Sequence, residues 1–63
     1  PVITIGSRGK AVELWQIIAG VKVDGIYGDK TNAATKAIQK VHGLEQTGVV
    51  DAKTWKAGLN SIK

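Results

Sequence analysis

The stretch VDGIYGDKT at residues 23–31 decides the fold, and it leads directly into a helical pattern over residues 32–39. Asp24-Gly25 is a strong turn signal, because glycine reaches positive φ without steric cost and aspartate can bond its own backbone. Gly28-Asp29 is typical of a helix entry, since glycine is an acceptable N-cap and a carboxylate in the first turn complements the helix dipole. The stretch therefore predicts a tight loop that needs both glycines, followed by a helix from about Asp29 to His42.

Two further helices are predicted on either side of this unit. Helix 1 covers residues 10–19 and ends at Gly20-Val21, and helix 2 ends at Gly43-Leu44; a glycine followed by an apolar residue is the Schellman stop signal. Asp51 is the predicted N-cap of helix 3. By helical spacing, the residues expected to face the core are Ala11, Trp15 and Ile18 in helix 1, flanked by Val12, Leu14 and Ala19, then Ala34, Ile38 and Val41 in helix 2, and Ala52, Trp55, Leu59 and Ile62 in helix 3.

Two glutamines and one glycine interrupt this apolar pattern. Gln16 lies off the apolar face of helix 1, and Gln39 lies at the edge of the face of helix 2. Two interpretations of these glutamines stay open: each holds a loop backbone by a hydrogen bond, or each offers a polar contact to a ligand. Gly58 lowers the predicted stability of helix 3 by about 1 kcal/mol relative to alanine.

The chain contains an internal repeat with an offset of 23 residues. The offset aligns Gln16 with Gln39 and Gly25 with Gly48, and it also aligns the two helix stops. Repeats of this kind bury their faces against each other. With short connections, the pattern predicts an all-α fold, a compact three-helix bundle with two structured glycine-containing loops. The second loop lacks the Asp, Tyr and second Gly of the first, which favours the first loop as the functional one.

Length and composition limit the classes of protein to consider. The 63 residues form one domain, residues 1–63, and the absence of a starting Met leads us to expect a fragment of a larger protein. No apolar run approaches the ~20 residues that span a bilayer. Nine Lys and Arg oppose five Asp and Glu, for a formal net charge of +4. This charge favours an anionic partner, whether nucleic acid, anionic lipid or a cell-wall polymer. The charged residues are spread singly along the sequence and form no block, so a role in solubility explains them equally well.

The sequence carries no recognisable catalytic or metal-binding motif. His42 is the only histidine, and there is no cysteine. His42 lies in the predicted last turn of helix 2, where a positive charge is stabilised by the helix dipole, so a structural role explains it. Asp24 and Asp29 lack the spacing of oxygen ligands found in an EF-hand, so we interpret them as turn and cap residues. A Walker-type phosphate loop is also absent. The sequence therefore predicts no enzymatic activity, no cofactor and no metal site.

The aromatic residues and the one arginine have different expected places. Trp15 and Trp55 fall on apolar helix faces and are expected to pack in the core. Tyr27 lies in the glycine-flanked loop, where two interpretations stay open: the ring covers the core, or it is partly exposed and offers a platform to a ligand. Arg8 is the only arginine, and an exposed arginine can form a forked pair with a carboxylate.

A set of motifs covers nearly the whole chain in order. Its members are Gly6, Gly9, Val12, Trp15, Gln16, Val23-Asp24-Gly25, Tyr27, Gly28, Thr31, Ala34, Ile38, Gln39, Gly43-Leu44, Gly48 and Thr54-Trp55. This pattern resembles the peptidoglycan-binding domain 1 family, a three-helix module appended to cell-wall hydrolases that include phage endolysins, amidases and spore-cortex lytic enzymes. This chain departs from the family pattern at a few positions. The family usually has Leu, Val and Phe at the positions of Trp15, Thr35 and Ile38, and its final Leu comes three residues after the Trp, whereas here Leu59 comes four after Trp55.

The resemblance implies a non-catalytic module that binds peptidoglycan and keeps a hydrolase domain of the same parent chain near its substrate. It implies a monomer that works in the bacterial cell wall, either secreted or phage-encoded and released at lysis. The implied ligand-binding residues surround the first loop and are Arg8, Asp24, Gly25, Tyr27, Thr31, Asn32 and Gln39. In this arrangement Arg8 pairs with a stem-peptide carboxylate and Tyr27 packs on a sugar face or an acetamide methyl group.

Two other functions stay open on the residues alone. A small basic nucleic-acid-binding module fits the net charge of +4 and the three short helices. Scattered lysines and a single arginine disfavour it, because base recognition uses Arg, Asn and Gln at the start of a recognition helix. A protein-docking domain on the same fold is the other alternative. We expect peptidoglycan as the partner, with no nucleic acid and no membrane span.

Overall fold

Three helices make up the fold in the computed structural model, which describes residues 2–61. Helix α1 spans Lys10–Ala19, α2 spans Asp29–Val41 and α3 spans Ala52–Ser61, and each helix packs against the other two. Helix α1 has the predicted bounds, and α2 ends one residue before the predicted His42. Residues 2–61 contain no strand beyond two isolated bridges. The predicted all-α three-helix bundle is confirmed.

The helix ends form where the sequence signals placed them. After α1 the N–H of Val21 donates to the carbonyl of Gln16 at 3.2 Å, and after α2 the N–H of Leu44 donates to the carbonyl of Gln39 at 2.7 Å. The intervening glycine N–H also donates back to each helix, which completes two Schellman motifs. At the start of α3, Asp51 Oδ1 accepts the backbone N–H of the third helical residue at 3.0 Å. All three predicted signals are confirmed.

The core is a small cluster of five buried residues: Ile3, Val12, Trp15, Tyr27 and Val50. The N-terminal segment reaches this core through an antiparallel bridge. The N–H of Ile3 donates to the carbonyl of Val50 at 3.2 Å, and the N–H of Val50 donates to the carbonyl of Ile3 at 2.7 Å. The bridge fixes the segment around Ile3 beside the start of α3.

Trp15 lies at the centre of this cluster. Its side chain is 0% exposed, and its Nε1 donates to Thr35 Oγ1 at 2.8 Å. The ring of Trp55 meets it edge-on, with 5.3 Å between ring centroids and an interplanar angle of 71°. Such a T-shaped pair places the positive ring edge against a negative ring face. The predicted core position is confirmed for Trp15, whereas the half-buried Trp55 covers the core from its edge.

The inward face of α2 differs from the predicted one. This helix buries Thr31, Thr35 and Gln39; the half-buried Ile38 packs against the core as predicted, whereas Val41 is 81% exposed. In α1 the predicted inward residues are confirmed except for Leu14, which is 57% exposed, and Gln16 is buried although its spacing placed it off the face. The core accepts these polar side chains because each of them is hydrogen-bonded inside. Counting apolar residues alone could not detect such a face.

The inward face of α3 is also rotated from the prediction. Thr54, Ala57 and Gly58 are buried, whereas Leu59 is 53% exposed. Position 52 is exposed, and Ile62 lies outside the described residues. Small residues face inward because α3 approaches the large ring of α1 closely. The small residues of α3 therefore leave room for the Trp15 ring, and the helix adds few large apolar side chains to the core.

Gly58 allows this close approach between α3 and α1. A Cβ atom at this position would overlap Trp15 Cζ3, and it would lie 2.7 Å from Trp15 Cη2 and 2.9 Å from Ile18 Cγ2. Contacts this short force neighbouring atoms to move, and a buried indole in a packed core has little room to do so. The glycine that weakens α3 as an isolated helix is thus required by its packing.

We expect Gly58→Ala to destabilise the domain by about 1–3 kcal/mol, the usual cost of overpacking a core. Helix propensity alone predicts the opposite sign, a gain of about 1 kcal/mol. Urea denaturation followed by tryptophan fluorescence measures the difference. Asn60→Ala, at an exposed position of the same helix, is the matched control and should be neutral or slightly stabilising. A Gly58→Ala protein more stable than the parent would contradict the packing argument.

Candidate functional site

Loop 1 (residues 20–28) connects α1 to α2, and the buried side chain of Gln16 holds it. The amide oxygen of Gln16 accepts the backbone N–H groups of Asp24 at 3.0 Å and Gly25 at 2.9 Å. Its amide nitrogen lies 2.8 Å from Asp24 Oδ1, 3.0 Å from the Ile26 carbonyl oxygen and 3.1 Å from Thr31 Oγ1. One side chain therefore pairs with three backbone groups of the loop and ties it to both flanking helices.

Loop 2 (residues 42–51) connects α2 to α3, and Gln39 holds it in the same way. The amide oxygen of Gln39 accepts the N–H of Gly48 at 3.1 Å. Its amide nitrogen lies 3.1 Å from the Val49 carbonyl oxygen, 3.0 Å from Thr54 Oγ1 and 3.4 Å from Thr47 Oγ1. Each of these partners stands 23 positions after a partner of Gln16. The interpretation of both glutamines as residues that hold a loop backbone is confirmed.

Glycine is required at one equivalent position in each loop. Gly25 has φ of +73° and Gly48 has φ of +77°, which L-residues with a side chain rarely adopt. Glu13 also packs 3.4 Å from where a Cβ of Gly25 would lie. Gly28 is different, because its φ of −111° is ordinary and the space around it is open. The predicted need for glycine is confirmed at Gly25 and is wrong at Gly28.

Groove 1 is a cavity of about 320 Å³ beside loop 1 and the first turn of α2. Its lining residues are Val21, Lys22, Asp24, Ile26, Gly28, Asp29, Lys30 and Thr31. Four of them are exposed and charged, two lysines and two aspartates, so the groove presents both signs of charge to solvent. Ile26 adds an apolar spot that is 46% exposed. The groove can therefore bind a ligand that combines charged, amide and apolar groups.

Groove 2 is a cavity of about 340 Å³ beside loop 2 and the first turn of α3. Its lining residues are Gln39, Gly43, Leu44, Glu45, Thr47, Asp51, Lys53 and Thr54. It carries two carboxylates and one lysine, all exposed. Groove 2 is therefore polar like groove 1, with one positive charge fewer.

Two groove carboxylates are stabilised in their charged form. The hydrogen bond from the Gln16 amide, followed by that from the Ile26 N–H, lowers the pKa of Asp24. The backbone N–H of Thr54 lowers the pKa of Asp51 in the same manner. Hydrogen bonds to the ionised form have this effect because protonation would weaken them. Both aspartates are therefore anionic at neutral pH.

The structure brings together only part of the predicted site. Asp24 and Thr31 line groove 1, but Thr31 is 3% exposed and bonds Gln16, and Gly25 is buried. Gln39 lines groove 2 instead, on the other loop. Arg8 is exposed and its backbone pairs with that of Ile26, so it lies next to loop 1 without lining either groove. Binding of ligand by these residues stays a prediction.

Tyr27 requires a correction, and Asn32 is displaced from loop 1. The tyrosine side chain is 1% exposed, and its hydroxyl lies 2.7 Å from Thr35 Oγ1 and 2.6 Å from the carbonyl oxygen of Gly48. Burial raises the pKa of Tyr27. The ring therefore packs inward, and the alternative of a platform for sugar stacking is wrong. Asn32 is half-buried beside loop 2. Its Oδ1 lies so close to Gly48 that a Cβ atom added to this glycine would overlap it.

Sequence reasoning missed the charged residues that line groove 1 together with Asp24. Asp29 is recognisable in the sequence only as a helix-entry residue, and Lys22, Ile26 and Lys30 belong to none of the motifs that the sequence shows. The available signal was their position, since all four lie within or directly beside the glycine-punctuated stretch at residues 23–31. Because loop 1 turns back on itself, the charged residues near its start and those at the start of α2 come to line the same groove.

A metal site and a membrane-spanning helix are both missing from residues 2–61. In this part of the chain, no group of three or more His, Cys, Asp and Glu side chains is placed to hold a metal ion. None of its helices is long and apolar enough to cross a membrane. Every buried side-chain nitrogen and oxygen in the same residues has a hydrogen-bond partner.

This fold and these grooves define a small all-α binding module, and sequence comparison assigns its family. A protein-family profile described as "Putative peptidoglycan binding domain" matches residues 10–57, which include both glutamine-held loops. The chain belongs to this family of peptidoglycan-binding domains, as the motif resemblance implied. The family is defined by binding and not by catalysis, and its ligand places the domain at the cell wall. No curated protein sequence matches the chain significantly.

Solved structures agree with this assignment. The chain is similar to the SleB N-terminal domain, with a TM-score of 0.93 and 30% identity, over 100% of this chain and 94% of that one. It is also similar to a peptidoglycan-binding protein from Clostridioides difficile, whose structure contains glutamine hydroxamate, with a TM-score of 0.87 and 36% identity over 92% of this chain. The chain spans only 40% of that second protein. The three-helix fold is thus shared with both.

We expect Gln16→Ala and Gln39→Ala each to destabilise the domain by about 2–4 kcal/mol, because each leaves several loop N–H and carbonyl groups unpaired. Gln46→Ala is the matched control, since Gln46 is an exposed glutamine of loop 2, and its effect should stay within about 0.5 kcal/mol. Urea denaturation followed by circular dichroism measures all three. If the buried glutamines behaved like Gln46, the loops would not depend on them.

The low pKa values of Asp24 and Asp51 predict a loss of stability in acid. Both pKa values lie below the ordinary value of 3.8 in the folded chain, so below about that pH the unfolded chain binds more protons. The melting temperature should therefore fall as the pH drops through this range. The double variant Asp24→Asn/Asp51→Asn keeps the oxygen acceptors without the titration, and its melting temperature should depend less on pH. An unchanged pH dependence would contradict this prediction. Calorimetry between about pH 6 and pH 2.5 measures both proteins.

Proposed function

We propose that this domain is the wall-targeting module of a peptidoglycan hydrolase and that it binds its ligand in groove 1. The observation that carries the proposal is a groove whose backbone is already fixed by Gln16 and whose four charged side chains are exposed to solvent. A preformed site loses little conformational entropy on binding. The family assignment supports the ligand class, and the fixed, charged groove supports the location that we propose.

The lining of groove 1 complements the chemistry of peptidoglycan. The polymer offers N-acetyl sugars, a lactyl ether and peptide carboxylates or amides. Lys22 and Lys30 suit the stem-peptide carboxylates, and Asp24 and Asp29 suit amide N–H or amino groups. The half-exposed Ile26 suits an acetamide methyl group or a sugar face, the role first expected of Tyr27.

The remaining predicted residues support this groove from its edges. Arg8 is the proposed second partner for a carboxylate, because its backbone is paired with Ile26 at the edge of the groove and its side chain is exposed. Gly25 and Thr31 hold the shape of loop 1 behind the contact surface. Asn32 and Gln39 belong to the loop 2 side of α2 and are not proposed to contact ligand in groove 1.

In the parent protein, we propose that this domain holds a catalytic domain of the same chain close to an insoluble substrate. Tethering raises the effective concentration of the catalytic domain at the wall without any new catalytic contact. The parent is an amidase, lytic enzyme or endolysin in this proposal, reaching the wall by secretion or by release at phage lysis. The module acts as a monomer, since one chain carries the whole of groove 1.

The test is co-sedimentation of the 63-residue chain with purified peptidoglycan sacculi stripped of teichoic acid. We expect the chain to pellet, and we expect Lys22→Glu/Lys30→Glu to bind about tenfold more weakly, since two exposed charge pairs become repulsive. Lys10→Glu is the matched control. It makes the same charge change at an exposed helix N-terminus outside both grooves, where a carboxylate is favourable.

Duplex DNA and an insoluble polysaccharide serve as ligand controls. If the chain stayed in the supernatant with sacculi but bound DNA with a steep salt dependence, the nucleic-acid alternative would replace the proposal. Equal losses from the groove variant and from Lys10→Glu would show that net charge, and not groove 1, determines binding.

A further inference from the structure

We propose that groove 2 is a second peptidoglycan site, so that one chain binds two repeating units of the polymer at the same time. This inference rests on the proposed function of groove 1. Six of the eight residues that line groove 2 stand 23 positions after residues that line groove 1: Leu44, Glu45, Thr47, Asp51, Lys53 and Thr54. The two cavities also have similar volumes, about 340 Å³ and about 320 Å³.

The repeat preserves the parts that make groove 1 a site. Gln39 fixes the backbone of loop 2 by the bonds with which Gln16 fixes loop 1. Lys53 occupies the position equivalent to Lys30, on the first turn of the helix that follows the loop, and both lysines are exposed. Groove 2 therefore offers the same preformed backbone and the same cation to a ligand.

The differences between the grooves concern charge and predict different ligand groups. Glu45 stands where groove 1 has Lys22, and Thr47 stands where it has Asp24. Groove 1 balances two lysines against two aspartates, whereas groove 2 has two carboxylates and only Lys53. Groove 2 therefore presents Lys53 to one stem-peptide carboxylate and its two carboxylates to amino and amide groups, whereas groove 1 presents a second lysine.

Two such sites on one small domain match a polymeric ligand. The longest extent of the domain is 26 Å, so a glycan strand of several units can reach both grooves. Once the first unit is bound, the second binds as an intramolecular event at high effective concentration. Two individually weak sites then give firm attachment to the wall while each contact remains exchangeable.

The experiment is a two-dimensional NMR titration of the 63-residue chain with a soluble monomeric disaccharide-tetrapeptide. We expect two sets of shifted amide signals, one around Gly25 and one around Gly48. Lys30→Glu should remove the first set and leave the second, and Lys53→Glu should do the reverse. Because the two substitutions are equivalent in the repeat, each is the matched control of the other.

Sacculus binding by the same variants supplies the second readout. We expect each single variant to bind sacculi about tenfold more weakly and the double variant at least a hundredfold more weakly, as the loss of two linked sites requires. Shifts confined to loop 1, with full sacculus binding by Lys53→Glu, would overturn the second site and leave the proposed function intact. Shifts confined to loop 2 or absent from both loops would overturn the inference together with the assignment of groove 1.

Discussion

The fold depends on two buried glutamine amides. Loops 1 and 2 run over the surface, but each turns inward at a buried glycine, Gly25 and Gly48, where a backbone group left unpaired would cost about 1–3 kcal/mol. A primary amide has two donor hydrogens and an oxygen with two lone pairs, so one side chain can serve N–H and carbonyl groups of the same loop. Gln16 does this for Asp24, Gly25 and Ile26. Glutamate would lack the donors, and leucine would fill the space but leave the loop unpaired.

A second polar centre connects these loops to the aromatic core. Thr35 Oγ1 accepts from Trp15 Nε1, lies 2.7 Å from the Tyr27 hydroxyl and donates to the Thr31 carbonyl. The Tyr27 hydroxyl also reaches the Gly48 carbonyl, so loop 1, α2 and loop 2 meet at one place. A chain of this length buries little apolar surface, and fully satisfied polar networks help to specify a single packing. The core is therefore small in apolar volume but closely defined in geometry.

Much of the fold could be predicted from sequence because its signals are local. The helix bounds, both Schellman stops, the Asp51 cap and the repeat follow from residue types a few positions apart. The inward face of α1 was largely predictable, but that of α2 was not, since spacing rules assume apolar interiors and α2 buries Thr35 and Gln39. Tyr27 stayed ambiguous for a related reason. Its burial depends on hydrogen-bond partners 8 and 21 residues away, which no local pattern shows.

The candidate site was less predictable than the fold, because the sequence reveals the residues that shape the grooves but not the residues that would contact a ligand. The residues that shape grooves 1 and 2 are buried, repeated and easy to notice. The residues that meet a ligand are exposed, and an exposed lysine such as Lys30 looks the same in a binding groove as on any solvated helix. Asp24 was found only because it also makes the turn of loop 1.

This separation of roles has a physical consequence for recognition. Since Gln16 and Gln39 fix each loop from inside, a change on the outer side of a loop leaves its backbone in place. The repeat shows this directly, because Lys22 is replaced by Glu45 and Asp24 by Thr47 while the glutamine bonds persist. The charge of each groove can therefore be set independently of its shape. A domain built in this way can match different chemical groups along one polymer without a new fold for each.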